Sequence, residues 1–249
     1  MIKLIYYPPI KKHFNVPVGN HYGSFGVKRK YSHHCGVDLY TKENTPIFAI
    51  EFGVVIEVKW FTGPEAGTDW WLSTRCVSIE GDSGVIVYGE IKELSHIEVG
   101  LQINQGEHIG NVQRVLKHDK GKPMSMLHVQ LLEHGVIDDD IPSWKHDMEK
   151  PKGLLDPTQI LIQCQLTMLR RDFILMNMLG GVLFVAWLMI GCVFSIFLLD
   201  EPESIPNPNK YKLAVVISGP LGWLIFTIVF ITKTVTPIFK SVCEWFSEK

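Results

Sequence analysis

Short runs of alternating apolar and polar residues dominate the first two thirds of the chain. They are rich in β-branched residues and are divided by glycines and polar clusters, which is typical of half-buried strands joined by turns. No strongly amphipathic helical pattern interrupts them. We therefore predict an all-β antiparallel barrel or sandwich over residues 1–165. The predicted strand runs are PIFAIEFGVVIEVKW, TRCVSIEG, GVIVYGEI, EHIGNVQRVL and MLHVQLLE.

The pattern changes after Asp172. Residues 173–199 and residues 213–232 contain no charged side chain, and about 20 apolar residues in a helix cross the hydrocarbon core of a bilayer. Two buried helices of a globular protein are the alternative, but the first segment is longer than most globular helices and apolar on every face. We therefore predict that residues 166–249 form a membrane anchor with two transmembrane helices, at about 173–199 and 213–232, and that a lipid bilayer is a partner.

The charges beside these two segments predict their orientation. Arg170 and Arg171 precede the first segment. Lys233 and Lys240 follow the second, and the connection DEPESIPNPNKYK carries three acidic residues and two lysines. Because positive charge stays preferentially on the cytoplasmic side, we predict a hairpin with both chain ends in the cytoplasm. The tail PIFKSVCEWFSEK is either a short interfacial helix or a frayed terminus.

The composition narrows the range of partners and compartments. The 24 basic and 26 acidic residues are mixed along the chain, with a net charge of -2, so no continuous basic face is available for phosphates and we expect no nucleic-acid partner. The five cysteines are scattered and form no Cys-x-x-Cys pair. This predicts neither a disulfide framework nor a zinc knuckle and favours a reducing compartment. The first residues, MIKLIYYPPIKKHF, lack the apolar core of a signal peptide.

His34 and Asp38 are the sharpest local signal for chemistry. Both residue types bind zinc, but four residues of extended strand separate two side chains by about 13 Å, whereas the ligand atoms on one zinc ion lie about 3–4 Å apart. Gly36 could supply the bend that closes this gap. A surface histidine beside a turn aspartate is the alternative, and the pair alone does not decide between the two.

The sequence around this pair resembles the lysostaphin-type, or LytM-like, zinc endopeptidases. Their pattern begins His-x-Gly-x-Asp and continues with Thr-Pro-hydrophobic, an alanine and Gly-x-Val, in the order and spacing found here. The resemblance implies an antiparallel β fold with a narrow groove across the sheet, in which His34, Asp38 and one further histidine hold a zinc ion. The matching blocks are His34–Asp38, Thr45–Ile47, Ala49, Gly53–Val55, Val99–Gly100, Gly106–Gly110 and Leu155–Pro157.

The resemblance also implies where catalytic histidines should stand, and both positions differ in this chain. The third ligand is the second histidine of a His-x-His strand motif, and the matching stretch MLH keeps His128 but has Met126 in place of the catalytic histidine. The other catalytic histidine belongs to a Tyr-x-His-Leu motif, matched here by YGEI, in which Glu90 replaces it. A thioether cannot transfer a proton. The implied zinc ligands are His34, Asp38 and His128.

Two interpretations of this variant site stay open. In the first, which we favour, the domain is a peptidase: three protein ligands leave a position for water, and Glu90 is the general base. The oxyanion would then be stabilised by zinc and by Tyr88 or His118. In the second interpretation the domain keeps the fold without catalysing a reaction and acts as a membrane-tethered regulator or a wall-binding adaptor.

Other residues near the motifs have simpler interpretations. His33 could exchange with His34 as a ligand, but the His-x-Gly-x-Asp spacing favours His34. Cys35 would point away from its neighbours and is expected to be a small buried side chain rather than a fourth ligand. Trp70 and Trp71 belong to the loop FTGPEAGTDWW, which could form a wall of the cleft, although packing is the more common role of tryptophan.

The resemblance implies a substrate and a location. Peptidases of this type cleave the peptides of bacterial peptidoglycan, so we expect that substrate and the bacterial inner membrane. A wall hydrolase with its own membrane hairpin would suit lysis or entry by a virus of bacteria. The predicted topology conflicts with direct access to the wall, and it favours a peptidase of a different protein substrate as a further alternative.

Overall fold

A computed structural model of the chain describes residues 6–119, 121 and 123–200, with side chains as far as Trp187. Within these residues, nine strands precede one long helix, α1, at Thr158–Asp200. The strands are β1 (Val37–Tyr40), β2 (Pro46–Phe48), β3 (Gly53–Thr62), β4 (Thr74–Gly81), β5 (Gly84–Glu93), β6 (Gln102–Ile103), β7 (His108–Val112), β8 (Met126–Leu132) and β9 (Leu154–Leu155). Two single-turn 3-10 helices, Pro64–Ala66 and Asp138–Asp140, lie in the loops after β3 and β8.

The strands form one sheet whose pairings are all antiparallel. The strand order is β1-β8-β5-β4-β3-β6, with β7 pairing with both β2 and β5 and β9 pairing with β8. Neighbours in sequence form the β3–β4 and β4–β5 pairs, whereas β8 returns between β1 and β5. This arrangement confirms the antiparallel β architecture predicted for the first domain.

Strand β5 at the centre of the sheet is buried on both faces. Ile86 and Tyr88 belong to the larger hydrophobic core, whereas Val85 and Val87 belong to a second, smaller cluster. Successive strand residues point to opposite faces, so the two clusters mark the two sides of the sheet. We call the side with the smaller cluster the site face, because the polar side chains described below lie on it.

The first turns of α1 complete the larger core. Leu161, Cys164 and Met168 are buried in it, at spacings of three and four residues that place them on one side of the helix. The Gln165 side chain also donates a 3.0 Å hydrogen bond to the Phe14 carbonyl oxygen. The predicted boundary between residues 165 and 166 therefore lies inside α1, and the helix beyond it still contributes to the core of the β domain.

The chain divides into two compact units, residues 1–173 and residues 174–249. Judged on the residues that the structure describes, no helix is long and apolar enough to cross a membrane. The first predicted span, 173–199, extends past the described side chains, and the second, 213–232, lies outside the described residues. Both spans therefore stay predictions.

Candidate metal centre

Asp38 and His128 face each other across two paired strands. They are direct partners in the antiparallel register of β1 and β8, a position that places two side chains on the same face of a sheet. Val37 and Leu39 on either side of Asp38 are buried in the larger core, so strand alternation turns Asp38 to the site face. Both polar side chains are buried there, with Asp38 3% and His128 7% exposed.

His34 precedes β1 and reaches the same point through a bend at residues 35 and 36. A Cβ on Gly36 would lie 2.5 Å from the Val129 carbonyl oxygen and 2.6 Å from His128 Nε2, which is too close for any side chain. Glycine at this position therefore lets the chain pass directly over the His128 ring. The bend predicted at Gly36 is present, and the close approach explains why a larger residue would not serve.

The three side chains bring one ligand atom each to a common point. His34 Nε2 lies 3.1 Å and His128 Nδ1 lies 2.8 Å from Asp38 Oδ1, and the two nitrogens are 3.2 Å apart. A tetrahedral zinc ion with bonds of about 2.0–2.1 Å separates its ligand atoms by about 3.3 Å, so each edge of the triangle is within about 0.5 Å of that value. The residues present therefore fit a zinc ion, and they are the three residues that the sequence predicts as ligands. Their binding of zinc stays a prediction.

In each histidine, the ring nitrogen that points away from Asp38, here called the outer nitrogen, determines which of the two ring nitrogens is protonated. His34 Nδ1 lies 2.9 Å from the Ser24 carbonyl oxygen, and His128 Nε2 lies 2.9 Å from Gln130 Oε1. Because both oxygens only accept hydrogen bonds, each outer nitrogen carries the proton of a neutral ring. In a neutral ring the lone pair then lies on the nitrogen that faces Asp38, which is the form that binds a metal, whereas a protonated ring donates a hydrogen bond to Asp38 from that nitrogen.

Gln130 is held in its orientation by a further pair of charges. Its Nε2 donates a 2.7 Å hydrogen bond to Asp138 Oδ1, and Asp138 Oδ2 lies 3.0 Å from Lys59 Nζ. The amide oxygen of Gln130 is thereby directed at His128. Sequence reasoning missed this residue, although its position two residues after a predicted ligand on one strand was a usable signal.

We expect Gln130→Leu to weaken zinc binding by about 10–100-fold, the usual cost of losing a hydrogen bond to a metal-ligating histidine. Leucine retains the bulk but leaves His128 Nε2 without its acceptor. Competition between the full-length chain and a chromophoric zinc chelator measures the affinity. Gln102→Leu, on the exposed face of β6, is the control and should bind as the wild type does. Equal affinities for all three proteins would show that Gln130 does not orient the ligand.

Burial and mutual contacts act in opposite directions on the pKa values of the three ligands. Burial would raise the pKa of Asp38, but hydrogen bonds from His128 and His34 hold it well below its usual range. Burial lowers the pKa of His34 despite its contact with Asp38. Burial also acts to lower the pKa of His128, but the hydrogen bond and charge of Asp38 outweigh it and raise that pKa. Asp38 is therefore ionised at neutral pH, as a metal ligand must be.

A bulge in β5 brings Glu90 to this site. Val77 on β4 pairs with Tyr88. Arg75 precedes Val77 by two residues on β4, but its partner Ile91 follows Tyr88 by three residues on β5. One extra residue on β5 is therefore accommodated between these pairs. Glu90 has a φ of 63°, a left-handed conformation that costs a residue other than glycine about 1–2 kcal/mol.

The Glu90 carboxyl group is buried and incompletely bonded. It is 8% exposed, and its Oε2 has no hydrogen-bond partner among the described residues. Burial and the negative charge of Asp38 raise its pKa to about 8, although His128 and Arg29 oppose this shift. A strained backbone and a raised carboxyl pKa in one residue are features of functional sites rather than of ordinary packing.

The raised pKa of Glu90 predicts how the stability of the metal-free protein depends on pH. The folded state holds this proton more tightly than the unfolded state, so the contribution of Glu90 to stability is largest below the ordinary pKa of 4.5 and falls until the pH passes about 8. Across this window the loss corresponds to a few degrees in Tm per pH unit. In EDTA, the Tm of the wild type should fall over this window more steeply than that of Glu90→Gln. Parallel curves would contradict the raised pKa.

Tyr88 and His118, the two predicted oxyanion donors, lie elsewhere. Tyr88 is 1% exposed in the larger core, and its hydroxyl oxygen accepts a 2.8 Å hydrogen bond from the Ile50 N–H. The bulge therefore separates Tyr88 from Glu90, and the structure gives no support to a role for Tyr88 at the site. His118 is exposed in the loop between β7 and β8, outside the group of three ligands.

The remaining predicted neighbours also lie outside the ligand group. The His33 ring packs against Trp144 with centroids 4.8 Å apart, so His34 rather than His33 supplies the ligand atom. Cys35 is half-buried. Trp70 is 63% exposed and contacts the edge of Trp71, with centroids 5.9 Å apart.

Two further residues contact the ligands and were not predicted. The Phe61 ring packs against the His128 ring with centroids 5.3 Å apart, and Gly89 leaves the space that the Phe61 ring occupies. The Arg29 guanidinium donates a hydrogen bond to Asp38 Oδ2. No spacing or motif marks either residue, because the Phe61 contact depends on the packing of β3 against the site and the Arg29 contact depends on how a loop folds over it.

The fold and the three converging side chains define a β domain with a group of three residues that could hold a metal ion. Residues 32–138 match the model described as Peptidase family M23. The match spans His34, Asp38, Glu90 and His128, and it supports a peptidase M23 domain in this part of the chain. No curated protein sequence matches the chain.

Solved structures with a similar fold include three from bacteria or a prophage. CbpA from L. salivarius REN is 19% identical, with 66% of this chain and 99% of that chain covered and a TM-score of 0.45. The catalytic domain of lysostaphin from Staphylococcus simulans is 18% identical, with 60% and 92% covered and a TM-score of 0.41. The catalytic domain of a mutant of EnpA, a prophage-encoded M23 protein from Enterococcus faecalis, is 18% identical, with 61% and 94% covered and a TM-score of 0.39.

Proposed function

We propose that the protein is a membrane-anchored zinc metalloendopeptidase that hydrolyses peptide bonds of bacterial peptidoglycan. The observation that carries this proposal is the buried triangle of His34 Nε2, Asp38 Oδ1 and His128 Nδ1, in a domain that matches the model of peptidase family M23. Peptidases of this family are typically zinc-dependent. Three protein ligands leave a further coordination position open, as catalytic zinc sites do.

The residues of the site have separate chemical roles. A zinc ion held by the three ligands would supply the Lewis acidity that polarises a peptide carbonyl group and acidifies water. In its ionised form, which the charge of a zinc ion would favour, Glu90 accepts the proton as general base and returns it to the leaving amine. Its carboxyl group is buried close enough to Asp38 and His128 to respond to their charges, and its Oε2 is unpartnered among the described residues. Gln130 keeps His128 in the ligating form.

Digestion of purified peptidoglycan sacculi tests this function. The full-length chain, in detergent and loaded with one zinc ion, should release new amino groups from the sacculi, and removal of zinc with a chelator should stop the release. Restored activity on adding zinc back would exclude damage by the chelator. Zinc-loaded protein that releases no amino groups from sacculi would refute the peptidoglycan endopeptidase.

Met126 favours a second candidate function. It opens β8 two residues before His128 and is half-buried on the same face, where a proton-transferring side chain would otherwise stand. A domain of this kind could bind wall peptides without cleaving them and act as a membrane-tethered regulator or adaptor. Cosedimentation with sacculi, without release of amino groups, would favour this function over the enzyme.

The membrane anchor is part of the proposal. It is supported by the described side chains of α1 in the second unit, which are apolar and exposed at Leu179 (57%) and Val182 (65%), among others. We propose that 173–199 and 213–232 span the bacterial inner membrane with both ends in the cytoplasm, so that the domain reaches peptidoglycan only when the membrane is breached. Protease treatment of intact cells should then leave the β domain uncut, whereas inverted vesicles should expose it. Cleavage in intact cells would reverse the topology and place the domain beside the wall.

A further inference from the structure

Arg29 forms a hydrogen bond with the carboxylate oxygen of Asp38 that points away from the histidines. Its Nη2 donates to Asp38 Oδ2, whereas Asp38 Oδ1 is the oxygen within 3.1 Å of His34 Nε2 and 2.8 Å of His128 Nδ1. The two oxygens of one buried carboxylate therefore have separate partners. The ion pair is largely buried, with the Arg29 side chain 22% and the Asp38 side chain 4% exposed.

The guanidinium group is held in place by contacts other than Asp38. Nε and Nη2 donate to the Tyr22 carbonyl oxygen at 3.3 and 3.0 Å, and the group lies 4.7 Å from the centroid of the Tyr22 ring. The backbone of Arg29 is fixed as well, because its N–H donates to the Ser32 carbonyl oxygen at 2.8 Å and its own carbonyl oxygen accepts from His146 Nε2 at 2.9 Å. Arg29 is thus positioned before a metal ion arrives.

We propose that Arg29 is a positioning residue that makes Asp38 a one-oxygen ligand, an inference that rests on the proposed zinc centre. A free carboxylate can turn and offer both oxygens to a cation. A guanidinium bonded to Oδ2 removes that option and leaves Oδ1 directed at the point between the two histidines. The zinc ion then has three protein ligand atoms instead of four, which keeps open the position that substrate or water needs.

Lys30 provides a matched control for charge. It is the neighbouring residue in the same turn and its side chain is exposed, with its Nζ 4.9 Å from the Tyr31 ring centroid. Lys30→Met removes one positive charge near the site without removing a contact to Asp38. Arg29→Met removes the same charge together with the hydrogen bond, and Arg29→Lys restores the charge and one donor.

Cobalt binding by the full-length chain tests the proposal without relying on catalysis. Co²⁺ is the probe, because its visible absorption weakens as its coordination number rises. We expect Arg29→Met to bind Co²⁺ about 10–100-fold more weakly and to show weaker visible bands per bound ion than the wild type. Lys30→Met should match the wild type in both, and Arg29→Lys should recover the band intensity of the wild type.

The result that overturns the proposal is an affinity and a spectrum for Arg29→Met that equal those of Lys30→Met. If Arg29→Met does not fold, Arg29→Lys decides, and weak bands in that folded variant would overturn the proposal as well. Failure of the proposed function has a different signature: wild-type protein that binds Co²⁺ and Zn²⁺ with intense cobalt bands but leaves sacculi intact. In that case Arg29 still positions a metal ligand.

Discussion

Asp38→Asn is expected to abolish stoichiometric zinc binding by the full-length chain. Asparagine keeps the size of the side chain but removes the negative charge, so the ion would meet two neutral imidazoles and the nearby cation of Arg29. Loss of an outer-shell contact already weakens metal binding by about 10–100-fold, and the loss of a ligand should exceed the upper value. Elemental analysis after gel filtration gives the number of zinc ions per chain.

The control for this variant is Asp82→Asn, in the exposed turn between β4 and β5. It makes the same chemical change at a distance from the ligands and should retain zinc as the wild type does. Thermal unfolding in EDTA separates loss of metal from loss of fold, because Asp38→Asn should still unfold cooperatively. Wild-type zinc content in Asp38→Asn would show that this carboxylate is not a ligand.

Glu90→Gln is expected to lower the rate of peptidoglycan hydrolysis by about 10²–10⁴-fold, the usual contribution of a general base. Glutamine has nearly the same shape but cannot accept the proton. Zinc content should not change, because Glu90 lies outside the group of three ligands. The rate of amino-group release from sacculi, measured at equal zinc occupancy, reports the effect.

Glu133→Gln is the matched control, because Glu133 is an exposed residue just after β8. Its rate should equal that of the wild type. An unchanged rate in Glu90→Gln would mean that another group takes the proton. A loss of zinc together with activity in Glu90→Gln would instead make Glu90 a ligand.

The arrangement of the ligands was predictable because it follows from strand alternation and a sequence motif. The alternation of apolar and polar residues turns Asp38 and His128 away from the larger core, and the resemblance to a known peptidase family paired them with His34. The register that sets Asp38 opposite His128 follows from neither spacing nor composition, since ninety residues separate them. It is a property of the sheet, in which β8 returns between β1 and β5.

The placement of Tyr88 and Glu90 was not predictable from alternation. Residues two apart on a regular strand share a face, so a regular β5 would have placed Glu90 in the larger core together with Tyr88. The bulge between them moves Glu90 to the site and leaves Tyr88 in the larger core. A glycine at φ 63° would have marked the irregularity in the sequence, but here the left-handed residue is the glutamate itself.

The residues that contact the ligands or their hydrogen-bond partners could not be predicted from the sequence, for a related reason. Arg29 and Asp138 lie in loops, and their partners, Asp38 and Gln130, lie on strands. Loop conformation depends on tertiary packing, such as the His33 ring against Trp144, which no local pattern encodes. The predicted spans, the topology and the origin in a bacterial virus stay predictions.

Zinc K-edge X-ray absorption on the full-length chain reports the ligands of the bound ion. We predict one zinc ion per chain, with two nitrogen ligands at about 2.0–2.1 Å, oxygen at about 2.0–2.2 Å and no sulfur. His34 and His128 supply the nitrogens, and Asp38 supplies a protein oxygen. A zinc content far below one ion per chain, or a sulfur ligand at about 2.3 Å of the kind that Cys35 would provide, would contradict it.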